Sequence, residues 1–187
     1  MARLIWLIVL AALFSVCCSR RPERQTAPAP PVTAQSGLQT LTGRVVRIAD
    51  GDTITVLDFS DTQHRIRLEG IDAPESHQAF GTQSKKNLSE MVFGKEVTVV
   101  YQKTDQYGRL VGKILVDGKD INLEQVKAGL AWHYKFYEDE QTPEDRDLYA
   151  KAEDEARAAR RGLWQDPNPV EPYQFRREEK RDTQRAR

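Results

Sequence analysis

Two alternating runs separated by Asp50-Gly51 constrain this chain more tightly than any other feature. Leu41 to Ile48 and Thr53 to Leu57 each read as a strand, and an Asp-Gly pair between two such runs is the strongest short-range signal for a β-hairpin. A third run, His64 to Ile71, follows a short polar loop. Its alternation sets Ile66 and Leu68 on one face, which packs, and Arg65, Arg67 and Glu69 on the other, which is left to act. Three strands in a row predict a meander.

Beyond Ser76 the period changes. Phe80, Leu88, Met91 and Val92, with Lys85, Lys86 and Glu90 between them, predict a helix ending at Gly94. Val97 to Tyr101 reads as a fourth strand and Leu110 to Val116 as a fifth, turning at Asp117-Gly118. Ile121 to Lys127 has helical spacing and stops at Gly129. Thr142-Pro143-Glu144 starts a last helix through Leu148, Tyr149, Ala152, Ala156 and Ala159 to Gly162, with Leu163-Trp164 plugging the core behind it. Five short strands, one helix between the third and fourth, and about three helices in all predict an α+β fold, mainly a β barrel. The barrel is a small closed Greek key of the oligonucleotide-binding (OB-fold) type.

A length of 187 residues, 39% hydrophobic and 30% charged, supports one ordinary domain with tails. The expected divisions are a signal segment at 1–18, a disordered Pro-rich linker at 19–37, the folded domain at 38–165 and a charged, disordered tail at 166–187. Arg3 followed by the apolar stretch Leu4 to Val16 reads as a secretory signal, because it falls short of the ~20 residues of a membrane-spanning helix. Cys17 and Cys18 close that segment, which resembles a bacterial lipoprotein signal. Phe14-Ser15-Val16 departs from the usual pattern, and plain cleavage after a small residue is the alternative. The expectation is a monomer that is secreted or held at the cell envelope, with a lipid anchor as one route. The formal net charge is zero, which argues against tight non-catalytic nucleic-acid binding, since that rests on many neutralised phosphates. An enzyme needs only a local positive site.

The densest chemistry lies where the third strand runs into Asp72-Ala73-Pro74-Glu75. Pro74 keeps Ala73 extended and frees its carbonyl, so Asp72 and Glu75 flank an exposed backbone oxygen. Oxygens of this kind suit a hard cation such as Ca²⁺ or Mg²⁺, and Arg67 stands close enough to hold a phosphate beside it. An ordinary reading fits the same residues: Asp72-x-x-Glu75 has the form of a capping box or Asx turn, and Arg67 with Glu69 that of a surface pair.

Asp50-Gly51-Asp52-Thr53, Arg67 through Glu75, and Asp105-Gln106-Tyr107-Gly108-Arg109, taken in this order, resemble the staphylococcal (thermonuclease-like) nuclease family over roughly Leu41 to Trp164. The resemblance implies a Ca²⁺-dependent phosphodiesterase acting on DNA and RNA with little sequence preference, leaving 3′-phosphate and 5′-hydroxyl ends. By that resemblance Asp52, Asp72 and the carbonyl of Ala73 hold the metal. Glu75 serves the attacking water, and Arg67 and Arg109 hold the scissile phosphate. Tyr107 lies near that phosphate, and the position of a base-stacking tyrosine is taken by Lys135, with Tyr134 and Tyr137 close by. Gln106 replaces a common lysine, and His77 stands in a loop where related nucleases carry lysines. The alternative is an OB-fold module that binds nucleic acid or protein without cutting; retention of Asp52, Arg67, Asp72, Glu75 and Arg109 argues against it.

Overall fold

The computed structural model describes residues 37–186. The signal segment and all of the linker except Gly37 lie outside those residues. Strands β1 (Gln39–Ile48), β2 (Thr53–Asp58) and β3 (Gln63–Leu68) form the meander. After β4 (Ile71–Asp72) and α1 (Gly81–Val92), β5 (Glu96–Thr104) returns to pair with β1, and β6 (Leu110–Val116) pairs with β5. The barrel closes through a parallel pairing of β3 with β6, with Ile66 opposite Leu110, Arg67 opposite Val111 and Leu68 opposite Gly112. The five-stranded OB-like barrel expected from the periodicity is therefore present.

The residues that alternate inward are the ones the barrel buries. Val45, Ile54, Val56, Ile66, Leu68, Val97, Val99 and Ile114 fill it, and Leu88 and Val92 of α1 join the same core. Each such side chain contributes about 1.5–3 kcal/mol by leaving water. Short β7 (Lys119–Asp120) leads into α2 (Ile121–Lys127), whose first turn is capped by Asp120, its carboxylate accepting from Leu123 N at 3.0 Å. Helix α3 (Pro143–Ala158) follows the same logic, with Thr142 Oγ1 accepting from Asp145 N at 3.1 Å and Pro143 in the first turn. Both helices pack on the barrel through Ile121, Val126, Tyr149 and Ala152.

Four departures from the sequence reading matter for function. Strand β3 stops at Leu68, because Gly70 adopts φ +72°, and the chain turns so that Ile71 and Asp72 pair instead with β8 (Trp132–His133). Gly51 is not needed for a left-handed hairpin turn. A Cβ there would lie 1.9 Å from Ser84 Oγ and 2.7 Å from Ala73 Cβ, so glycine lets the β1–β2 loop press against the site. Leu163 and Trp164 are buried, but in a small cluster of their own with Ala156, edged by Trp132 at 4.4 Å between ring centroids. The fourth departure is a correction: the charged segment from 166 onward is not a formless tail. Pro172–Arg185 forms a further helix, α4, beginning on Pro172 at its first turn. Together with α1, α2 and α3 it makes four α-helices among the described residues.

Candidate active site

The first half of the site is built by pairing inside the meander. Thr53 lies opposite Arg67 across β2 and β3, and Leu68 N donates to Asp52 O at 2.8 Å, so the hairpin loop delivers Asp52 directly beside the arginine. Asp52 is buried and fully engaged: Oδ2 accepts from Ala73 N at 2.8 Å, Oδ1 accepts from Thr53 Oγ1 at 3.1 Å, and Arg67 Nη1 lies 3.1 Å from Oδ2. Arg67 Nη2 reaches the buried Asp72, donating to Oδ1 at 3.0 Å, while Nη1 donates to Leu68 O at 3.0 Å. One guanidinium thus holds two buried carboxylates from two different turns.

The second half arrives through barrel closure. The β3–β6 pairing sets Leu110 opposite Ile66, which brings Arg109, at the mouth of β6, next to Arg67's strand. Arg109 Nε donates to Asp105 Oδ2 at 2.7 Å, its Nη1 lies 3.5 Å from Thr53 Oγ1, and its guanidinium sits 5.5 Å from the centre of the Tyr107 ring. Burial works against the charge of Asp105, yet its bonds from Arg109 hold its pKa below the usual carboxylate range. Asp52, Arg67, Ala73, Glu75, Tyr107 and Arg109 line one cleft of about 790 Å³, with Tyr134 and Tyr137 on its wall. A larger cavity of about 980 Å³ lies beside it, and Asp72 faces that side. The arginine pair is in the smaller cleft, and so is the chemistry.

These two arginines, with Asp52 and Asp72 held on the first, bring together all three motifs singled out above. The sequence model of the family described as staphylococcal nuclease homologue matches residues 65–166. The chain belongs to that family. An uncharacterized endonuclease of Haemophilus influenzae is 45% identical over 139 residues, covering 74% of this chain and 75% of the relative. The micrococcal nuclease of Shigella flexneri is 43% identical over 150 residues, covering 75% of this chain and 83% of the relative. Protein ParB of Escherichia coli is 43% identical over 156 residues, covering 79% and 85%. As a staphylococcal nuclease homologue, the chain is a nuclease, a phosphodiesterase of the endonuclease type.

For this nuclease fold, the donor set at Asp52 and Asp72 fits a hard divalent cation. The donors are oxygens, and negative charge is in excess. Burial and the nearby Asp52 carboxylate push Asp50 up to about 6, and burial also raises Asp72 against the opposing pull of Arg67. A cation relieves that crowding. No group of three or more His, Cys, Asp or Glu side chains among the described residues forms a complete cage, so two carboxylates and a carbonyl would leave the rest of the shell to water and substrate.

Most expected site residues converge, and one does not. Lys135 turns away from the arginines, its Nζ lying 3.1 Å from the buried Glu153 carboxylate on the side of the larger cavity. It balances a buried charge and takes no part in the cleft. His77 pairs with Glu179 at 2.6 Å and rests against Phe175, 5.2 Å between ring centroids, so it holds α4. Among the further residues that line the cleft are Asp50, Glu69 and Arg176. Burial, aided by the Glu140 and Asp145 charges, pushes Glu69 up to about 7 despite Lys113. Arg176 lies on the Asp72 and Glu75 carboxylates. The hairpin signal pointed at Asp50, and alternation pointed at Glu69; no local signal distinguishes Arg176 from its neighbours in a charged run.

Proposed function

We propose that this nuclease is exported and Ca²⁺-dependent, cutting DNA and RNA with little sequence preference and leaving 3′-phosphate and 5′-hydroxyl ends. The observation that carries the reading is Arg67 suspended between Asp52 and Asp72, with Arg109 beside it across the closed barrel. Asp52, Asp72 and the Ala73 carbonyl would hold the cation, which when bound offsets the charge that builds on the phosphate oxygens. The chain supplies the rest. Arg67 is held by carboxylates and a carbonyl through Nη1 and Nη2, so its fork is oriented before substrate arrives. Its other N–H groups meet the phosphate. Arg109, fixed by Asp105, supplies a second fork from the other wall. Such forks are most effective where charge develops in the transition state.

Glu75 accepts a proton from, and orients, the attacking water. Tyr107 lies over Arg109 at the phosphate end, while Tyr134 and Tyr137 offer rings to bases along the wall. Labelled single-stranded DNA, double-stranded DNA and RNA should all be cut with Ca²⁺ and none with EDTA, with 3′-phosphate found by end-group analysis. Full activity in EDTA, or 5′-phosphate ends, overturns the reading. Export rests on the apolar stretch Leu4 to Val16. Radiolabelled palmitate on Cys17 or Cys18 in membrane fractions, against free protein in the medium, separates a lipid anchor from release. The reading takes the nuclease as a monomer, which sedimentation checks.

A further inference from the structure

Helix α4 borders the cleft with Arg176 and Lys180, and Arg176 is the one that reaches the site carboxylates. Its Nη1 and Nη2 grip both oxygens of Asp72, at 3.2 and 3.0 Å, and Nη1 also donates to Glu75 Oε1 at 2.9 Å. Oδ1 of Asp72 is at the same time the acceptor for Arg67. With both Asp72 oxygens and one Glu75 oxygen engaged by a guanidinium, a cation brought to Asp72 meets the Arg176 charge at contact distance, and a water on Glu75 Oε1 shares that oxygen with Arg176.

The helix that carries Arg176 is fastened lightly. Of α4 only Pro172 is buried. Its other anchors are peripheral: Glu179 on His77, Phe175 against the same ring, Tyr173 stacked on the exposed Phe136 at 6.3 Å between ring centroids, and Val170 O accepting from Gln78 Nε2 at 2.7 Å just before the helix. These are exposed polar and aromatic contacts, each of small net value. Of the contacts that hold α4 down, the charge contact through Arg176 is the one that a cation would replace.

We propose that α4 is an autoinhibitory strap. Arg176 acts as a resident surrogate for the cation, so that the cation and the docked helix compete for Asp72, while the same guanidinium occupies the Glu75 oxygen that would hold the water. The inference rests on the cation assignment made above and adds to it a second occupant of Asp72. Elevated divalent cation frees the strap, and the nuclease is quiet where that cation is scarce.

The test uses the full chain and reads binding directly, by calorimetric titration with Ca²⁺, alongside hydrogen exchange of the α4 amides. Arg176→Ala should tighten Ca²⁺ binding about tenfold, as loss of one charge-assisted contact allows. Phe175→Ala, which loosens the dock without touching a carboxylate, should tighten it less, in the same direction. In the parent, added Ca²⁺ should speed exchange along α4. Equal Ca²⁺ affinity in parent and Arg176→Ala overturns the strap and leaves the cation site standing. Slower exchange of α4 with Ca²⁺ also overturns it. A raised KM for DNA in Arg176→Ala at unchanged Ca²⁺ affinity overturns it in favour of a phosphate contact. No Ca²⁺ binding by either protein overturns strap and cation site together.

Discussion

The barrel wall and helix α4 meet at one carboxylate, Asp72, but hold it by opposite means. On the barrel side, Asp52 and Asp72 are dry, and strand register fixes Arg67 between them. On the helix side, Arg176 reaches the same Asp72 from a largely solvated element, across 104 residues of sequence. The first arrangement is preorganised, because moving Arg67 would require breaking β-ladder pairs; the second is removable, because little apolar area is lost when it goes. The group proposed for catalysis and the group proposed to compete with the cation are thus the same residue type at nearly the same distance and differ in what stands behind them.

The sharpest way to break that contrast is to damage the barrel. Ile66→Ala removes a fully buried side chain beside Arg67, and should lower unfolding free energy by about 2–5 kcal/mol in urea melts. Removing Arg67 itself should cost about 10²–10³ in the rate of single-stranded DNA hydrolysis with Ca²⁺. It also leaves Asp52 buried without its guanidinium and Asp72 with Arg176 alone, so the melting temperature should fall, and fall less when Ca²⁺ is supplied. Parent-level activity in Arg67→Ala would defeat the assignment.

A smaller effect belongs to Glu69. Its pKa is about 7 in the folded protein, against an ordinary 4.5, so the folded chain holds this proton more tightly than the unfolded one. Stability should therefore decline as pH rises from about 4.5 to 7. Glu69→Gln should flatten that decline, by on the order of 1 kcal/mol after solvent screening; an identical pH profile for variant and parent would remove Glu69 from the account. The smallest effect is on the helix side. Phe175→Ala should change global stability by less than about 1 kcal/mol, since α4 lends little to the core. A loss as large as that from Ile66→Ala would erase the distinction between fixed wall and removable strap.

Much of this was legible locally. Period-2 alternation and Asp-Gly turns determined the first three strands, and the Leu110–Val116 and Ile121–Lys127 elements were expected with the bounds that the structure shows. Three short motifs, through their resemblance to the staphylococcal nuclease family, pointed to Asp52, Arg67, Asp72, Glu75 and Arg109, while strand periodicity and turn chemistry alone left the 67–75 stretch open between a site and an ordinary turn. The end of β3 was misplaced because alternation continues through Glu69 while backbone pairing does not; Gly70 breaks it. Lys135 was expected in the cleft and pairs instead with Glu153, a buried charge on α3 that no local pattern reveals.

Tertiary structure alone decided the rest. The parallel closure of β3 on β6 brings Arg109 to Arg67, and nothing near either residue in sequence specifies that pairing. The segment 166–187 has the composition of a solvated tail, and a helix with so little apolar surface gains its place only through long-range partners. Its Arg176 finds Asp72 and Glu75, which are 104 and 101 residues away. Short-range signals reflect the geometry of one strand or one turn. Which charges meet inside a closed barrel depends on how the whole chain excludes water, and only the folded structure contains that.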